Sequence, residues 1–441
     1  MVERESTSEH PAGGVRASWS LLRRNRDFRH VYLASMISLG GDWFLLVALF
    51  GLVLDLTDNS PIAVAFLLAV QDVPLFLLSP AAGALVDRLD RRKLMVVCDL
   101  ARAVICFGFL FVRSSETVWI AYPLLAVMSS FAAGFDPASS AALPNLVDDR
   151  DLATANALTG SLWGTMLTVG AALGGIVAAV AGRDTAIVVD ALSFGASGLL
   201  IASVHRPFSE DRGHEQEHPK IVEATRETLS YAAKDHRVLA LLAVKFGFGF
   251  GAGVLVLISV FATDVFRGGD VAIGLLMAAR GVGALVGPFV GRALLGTADR
   301  RLFAVIGGAL LVFGLGYTLL GFAPALAVAM PIVAIAHLGG GAQWMLSSYG
   351  LQRIVPDRLR GRIFAFDLAL ITLTFAISSV VTGWTAELFG ARRVAIALGV
   401  IGTAYAIVWT WLTTDVRRAT MLEGCGAPPE SEYEAARVAA D

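Results

Sequence analysis

Twelve apolar runs, each about 19 to 26 residues long, follow one another through a chain of 441 residues. About 20 apolar residues are what an α-helix needs to cross a bilayer, and in hydrocarbon a helix satisfies its own backbone. Such a chain is therefore expected to be an all-α membrane protein. The runs lie at about 31–54, 61–82, 94–112, 118–138, 157–181, 184–204, 238–263, 270–291, 302–321, 325–348, 363–388 and 393–413. Composition agrees, with 56% apolar and 16% charged residues against roughly 25% charged in a soluble domain.

The punctuation between the runs repeats at one offset of 208 residues. Asp27 and Arg29 recur as Asp235 and Arg237, Pro80 and Gly83 as Pro288 and Gly291, and Val147, Asp149 and Arg150 as Val355, Asp357 and Arg358. A single offset shared by three separate places points to an internal duplication. The expected architecture is two six-helix bundles related by a pseudo-two-fold axis along the membrane normal, the arrangement of secondary transporters whose substrate site lies where the repeats meet. The boundaries are residues 1–30 as an N-terminal segment, 31–204 and 238–413 as the bundles, 205–237 as a linker and 414–441 as a disordered tail.

Charge sets the orientation. Of 35 Lys and Arg, 27 precede span 1 or follow an even-numbered span, and four fall in the connections after odd-numbered spans. The positive-inside rule places both termini in the cytoplasm of a multi-pass cell-membrane protein, a bacterial plasma membrane being expected. The first 30 residues carry six arginines and no apolar core, so they read as mature sequence. In the linker, Ile221, Val222, Thr225, Leu229 and Ala232 have helical spacing, which fits either a helix on the inner membrane face or a plain solvated connector. Net charge near zero excludes nothing about nucleic acid, but no basic patch or nucleic-acid motif argues for it. Cys98, Cys106 and Cys425 supply no disulfide or metal framework, and no cofactor is expected. Gly247-Phe248-Gly249-Phe250-Gly251-Ala252-Gly253 lacks dinucleotide spacing and lies inside a span, so it reads as a close-packing helix.

The most specific short motif runs from Gly83 to Lys93, as Gly83-Ala84-Leu85-Val86-Asp87-Arg88-Leu89-Asp90-Arg91-Arg92-Lys93. Small residues allow close helix approach, an acid can meet a helix N-terminus, and the basic cluster suits an anionic inner leaflet. Its order resembles the signature loop of the major facilitator superfamily, Gly-x-Leu-Ala-Asp-Arg-x-Gly-Arg-Arg/Lys, with Val86 for the alanine and Asp90 for the second glycine. Asp27-Phe28-Arg29, Ser38-Leu39-Gly40-Gly41-Asp42, Pro144-Asn145-Leu146-Val147 and Arg358-Leu359-Arg360-Gly361-Arg362 resemble the branch of enterobactin exporters and macrolide-efflux proteins. The resemblance implies alternating access, with Gly83, Asp87, Arg88, Arg91 and Arg92 as the conformational-switch loop. Two family features are missing. Span 5 reads Gly170-Ala171-Ala172-Leu173-Gly174-Gly175 without the antiporter proline, and span 4 has no basic residue from Val118 to Pro137.

Ionisable groups deep in a span are costly and mark substrate or ion paths. Asp42 and Asp72 lie about 16 Å along their spans at 1.5 Å per residue, and Arg280 and His337 are similarly deep, with Lys245 shallower. These five are the substrate and coupling candidates. Asp72 and Arg280 are also 208 apart and opposite in sign, so they are expected at equal depth on facing bundles, either pairing there or each within its own bundle. Asp42 suits a proton-carrying carboxylate or a locally hydrogen-bonded one. His337, beside Gly339-Gly340-Gly341, suits a titrating group or a packed core histidine. Asp99 and Arg102, three apart, are expected to form a local ion pair supporting the loop.

Together these features predict a monomeric secondary transporter, exporting amphipathic small molecules and coupled to protons. An importer of a nutrient or metabolite is the alternative of the same fold. A membrane scaffold or sensor is the alternative of another class, which the costly deep charges argue against. No catalytic cluster or Walker motif suggests an enzyme.

Overall fold

The computed structural model describes residues 15–208, 230–296 and 301–415. Among these residues there is no strand, and twelve helices are long and apolar enough to cross a membrane. The α-helices of the first half are α1 (Val15–Arg24), α2 (Arg26–Leu56), α3 (Pro61–Arg88), α4 (Arg91–Cys106), α5 (Ala121–Leu146), α6 (Asp149–Ala181) and α7 (Arg183–Ala202). In the second half follow α8 (His236–Phe250), α9 (Val254–Val260), α10 (Gly269–Leu295), α11 (Leu302–Leu320), α12 (Leu326–Ile354), α13 (Asp357–Phe389) and α14 (Ala391–Leu412). The short α1 precedes the first span. A 3₁₀ turn over Gly251–Gly253 links α8 to α9, and a π-turn over Phe261–Val265 follows α9, so the glycine-rich stretch breaks the seventh span locally. Of the linker-helix residues, Ile221, Val222, Thr225 and Leu229 lie outside the described residues. Ala232 is helical and buried beside Tyr231.

The helix starts follow from the sequence. Asn25 caps α2 by accepting from Phe28 N at 2.9 Å, and Asp235 caps α8 by accepting from Arg237 N at 2.8 Å. Asp90, which replaces the glycine of the superfamily loop, caps α4 by accepting from Lys93 N at 3.0 Å. Gly182 joins α6 to α7 at φ +88°, and Gly390 joins α13 to α14 at φ +83°. Both are single-residue links in a conformation that glycine alone adopts cheaply, and they are again 208 residues apart.

The chain forms two compact units. The first comprises Met1–Asn59, Val70–Glu215 and Arg267–Ala278, and the second Ser60–Ala69, Gln216–Phe266 and Ala279–Asp441. In the first unit Val31, Met95, Phe135, Leu146 and Ile201 close one apolar core, and Leu21 of α1 packs with Phe28, Leu143 and Val147 in another. In the second unit Val238, Leu241, Phe303, Leu346, Leu359 and Trp409 lie in one buried cluster.

The first turns of α10 pack in the first unit, where Gly274 lies against Gly175 of α6. A methyl on Gly175 would come within 2.6 Å of Asp270 O and 2.9 Å of Gly274 Cα. In the second unit Gly383 of α13, 208 residues after Gly175, lies against the first turns of α3. A methyl there would come within 2.9 Å of Pro61 O and 3.0 Å of Ile62 Cα. The duplication is thus kept at the level of helix contacts, through glycines that let backbones touch.

Gly174, the neighbour of Gly175, faces α2, and a methyl there would reach Phe44 Cα at 2.9 Å and Trp43 O at 3.3 Å. Gly174→Val is expected to destabilise the protein by about 1–3 kcal/mol through overpacking. Gly195→Ala, with nothing within 4 Å of the new methyl, is expected to be neutral or mildly stabilising. Thermal midpoints from fluorescence-detected size exclusion check this, and equal midpoints for the two variants would contradict the packing argument.

Candidate functional site

Within the first unit, α2, α4, α5 and α7 gather four carboxylates around one guanidinium. Arg102 donates to Asp99 Oδ1 at 2.5 Å, and Ser197 Oγ donates to Asp99 Oδ2 at 2.5 Å. The Arg102 guanidinium also lies 4.2 Å from the ring centre of Phe194 and 5.0 Å from that of Phe135, so aromatic faces replace water around it. Asp42 and Asp136 are within electrostatic reach of the same guanidinium. Asp190 of α7 accepts from Cys106 Sγ at 3.3 Å and from Ser193 Oγ at 3.4 Å, and it interacts with Asp42. Gly41 makes this possible: a methyl there would lie 2.9 Å from Ser193 Cβ and overlap the Asp190 carboxylate. Asp99 and Asp190 are fully buried, Asp42 is half-buried and Asp136 is exposed. The expected Asp99–Arg102 pair exists, set inside this larger cluster.

In the second unit Lys245 of α8 forms an ion pair with Asp367 Oδ2 of α13 and donates to Ser348 Oγ at 3.0 Å. Its ammonium lies 4.8 Å from the ring centre of Trp344. Both charged residues are buried, Lys245 at 4% exposure and Asp367 at 2%.

Arg280 of α10 donates from Nε to His337 Nε2 at 3.3 Å. Nε2 is therefore the acceptor nitrogen, which leaves the ring proton on Nδ1 facing Val333 O at 3.2 Å. Tyr317 Oη lies 3.1 Å from Nδ1. His337 is thus a packed, hydrogen-bonded histidine in a buried group with Arg280 and Tyr317. Arg280 has this partner inside its own unit, and Asp72 is half-buried on α3.

The segment expected to be the switch loop is helical through Arg88, and the side chains of Gly83, Asp87 and Arg88 lie outside the described residues. Its basic end is tied down. Arg91 donates to Ala141 O at 2.8 Å and Phe208 O at 3.2 Å, and Arg92 donates to Val204 O at 2.6 Å.

A further ionic group joins three helix ends of the first unit. Arg183, at the start of α7, donates Nε to Asp270 Oδ2 at 2.9 Å, Nη2 to Asp270 Oδ1 at 3.0 Å and Nη1 to Asp55 Oδ2 at 2.7 Å. The fork spans both oxygens of Asp270, the geometry that guanidinium groups hold best.

The sequence reading missed Asp136, Asp190 and Asp367, although each interrupts an apolar run and carries the same signal as Asp42. It also missed Tyr317, Asp55, Asp270 and Arg183. Tyr317 carries no charge to mark it, and the other three sit at run edges where charge reads as topology. No group of three or more His, Cys, Asp or Glu among the described residues could hold a metal ion.

Residues 16–428 match the profile of the transmembrane secretion effector family. The chain belongs to this branch of the major facilitator superfamily. The transporter is 24% identical over 345 residues to macrolide efflux protein A of Streptococcus pyogenes, covering 76% of this chain and 84% of that one. It is 24% identical over 391 residues to the multidrug efflux pump Tap of Mycobacterium tuberculosis, covering 86% and 92%. The crystal structure of a bacterial homologue of the iron transporter ferroportin in an inward-facing state shares its fold, with a TM-score of 0.65 at 16% identity over 87% of this chain and 98% of that one. The transporter is therefore a multi-pass membrane protein of an efflux-like branch.

Proposed function

We propose that the transporter exports amphipathic small molecules from the cytoplasm by alternating access, in exchange for protons. The observation that carries the coupling is the imbalance of Asp42, Asp99, Asp136 and Asp190 around the single Arg102. Four carboxylates against one guanidinium have room for exchangeable protons without a change of packing. A carboxylate left without a counter-ion or a proton in such surroundings is expensive. Asp42 and Asp136 are open enough to exchange, whereas Asp99 and Asp190 are fully hydrogen-bonded. Relatives named for macrolide and multidrug efflux support the outward direction. Gly83, Asp87 and Arg88, anchored by Arg91 and Arg92, are the loop on which the conformational change turns, and both termini lie in the cytoplasm.

The test is accumulation of a panel of fluorescent or radiolabelled amphipaths in cells with and without the protein, each with and without a protonophore. Lower accumulation that the protonophore abolishes supports the reading, and higher accumulation or an unchanged panel refutes it. Asp42→Asn is expected to cut gradient-driven extrusion at least tenfold while sparing substrate exchange between proteoliposome compartments. Undiminished gradient-driven extrusion by this variant would move the coupling role away from Asp42.

A further inference from the structure

The ion pair of the second unit has unused capacity, and its sign is specific. The Lys245 ammonium is fully engaged: it meets Asp367 Oδ2, Ser348 Oγ and the face of Trp344. Asp367 is not. Its Oδ1 is buried and has no hydrogen-bond partner, on a residue 2% exposed. A buried acceptor without a donor is costly, and a carboxylate oxygen is satisfied best by a cationic or N–H donor. Aromatic surface stands beside its partner, the Lys245 ammonium. Trp344, 37% exposed, meets Phe248 edge-on at 6.0 Å, and Phe248 lies 5.9 Å from Phe375. The Lys245 ammonium itself shows what the site accepts, a positive nitrogen held between a carboxylate and an indole face.

We propose that Asp367, with Trp344, Phe248 and Phe375, is the recognition site for the positively charged nitrogen of a lipophilic cationic substrate, which binds Asp367 Oδ1 and shares or displaces Lys245. This rests on the export reading and narrows it to amphipathic cations. Lys245 acts as the resident counter-ion that keeps the carboxylate compensated between substrates. A lipophilic anion would instead have to take Lys245 from three partners already in place.

The experiment is direct binding to the purified full-length protein in nanodiscs, with rhodamine 6G, a lipophilic cation whose charge is shared by two N–H-bearing nitrogens, as the cationic probe and anilinonaphthalene sulfonate as the anionic one. Asp367→Asn is expected to weaken rhodamine 6G binding about 10- to 100-fold, the scale of a charge-assisted hydrogen bond. Trp344→Leu is expected to weaken it about fivefold, the scale of a cation–π contact. Lys245→Met is expected to hold or tighten it. Asp367→Asn alone leaves the Lys245 ammonium buried without its counter-ion, so the neutral double variant Lys245→Met/Asp367→Asn is measured beside it and is expected to lose binding as well. Rhodamine 6G affinity unchanged in that double variant overturns the proposal, as does anion binding that depends on Lys245 while cation binding ignores Asp367. The result separates cleanly from the export reading. Cation binding that needs Asp367 in a protein that lowers no compound's accumulation keeps the site and removes export, whereas export with Asp367-independent binding does the reverse.

Discussion

Arg102→Leu is expected to lower the thermal midpoint of the transporter by about 10 °C or more and to reduce the yield of folded protein sharply. Arg102 is the counter-ion of Asp99, and both are buried, at 4% and 0% exposure. Removing one member of a buried pair leaves the other charge uncompensated, at a cost of about 3–5 kcal/mol. In a unit of some 200 residues that corresponds to roughly 10 °C. Asp42, Asp136 and Asp190 lose the same positive charge, which adds to the penalty. The double change Arg102→Leu/Asp99→Asn is expected to recover more than half of the loss, because the carboxylate that Arg102 pairs directly is neutralised with it. Midpoints from fluorescence-detected size exclusion in one detergent check both statements. A single variant as stable as the parent, or a double variant worse than the single, would show that the guanidinium is not what compensates the cluster.

Arg183→Gln is expected to speed amide hydrogen exchange across residues 269–278 by about tenfold or more and to impair transport. The three hydrogen bonds from Arg183 tie Asp55 at the end of α2 and Asp270 at the start of α10 to the start of α7. Hydrogen bonds to charged groups contribute about 1.5–3 kcal/mol when buried. Arg183 and Asp55 are partly exposed, so the lower end of that range is the better guide. The glycine contact between Gly175 and Gly274 remains, but nothing polar then holds the first turn of α10 against it. In the proposed alternating-access cycle this contact opens and closes, so weakening it is expected to shift the balance between states. Arg113→Gln is the control. It breaks the Arg113–Asp184 pair, both of whose side chains are more than half exposed, and is expected to change exchange in 269–278 very little. Equal exchange in Arg183→Gln and the parent would mean that glycine packing alone sets the stability of this contact.

The duplication shows why one equivalent position reveals only part of another. Gly182 and Gly390 share an offset, a positive φ and a role, because a one-residue link between antiparallel spans leaves the backbone no other solution. Asp27 and Asp235 share the offset without the role. Asp235 caps α8, whereas Asn25 caps α2 and Asp27 accepts from the backbone of His205 and Arg206 at 3.3 and 3.1 Å. Gly175 and Gly383 pack alike, yet the Arg183–Asp270 fork has no counterpart at the equivalent positions, which hold Ala391 and Ile62.

The sequence by itself determined the twelve spans, the caps that start several of them and the pattern of the repeat. Each of these is a local property: an apolar run long enough for a bilayer, a short polar side chain before a helix, or a charge outside the hydrocarbon. It marked Asp42 and Lys245 as costly residues in need of partners. Only the tertiary structure decided which partners they found. Asp99 and Ser197 meet across 98 residues, and Lys245 and Asp367 across 122. It also showed His337 already committed to Arg280 and Tyr317. Helix packing brings such groups together through rotations about the helix axis and close approaches at glycines. A one-dimensional pattern of apolar and charged residues does not record those rotations, so the chain announced that its buried charges had to be compensated while the fold alone chose the compensating groups.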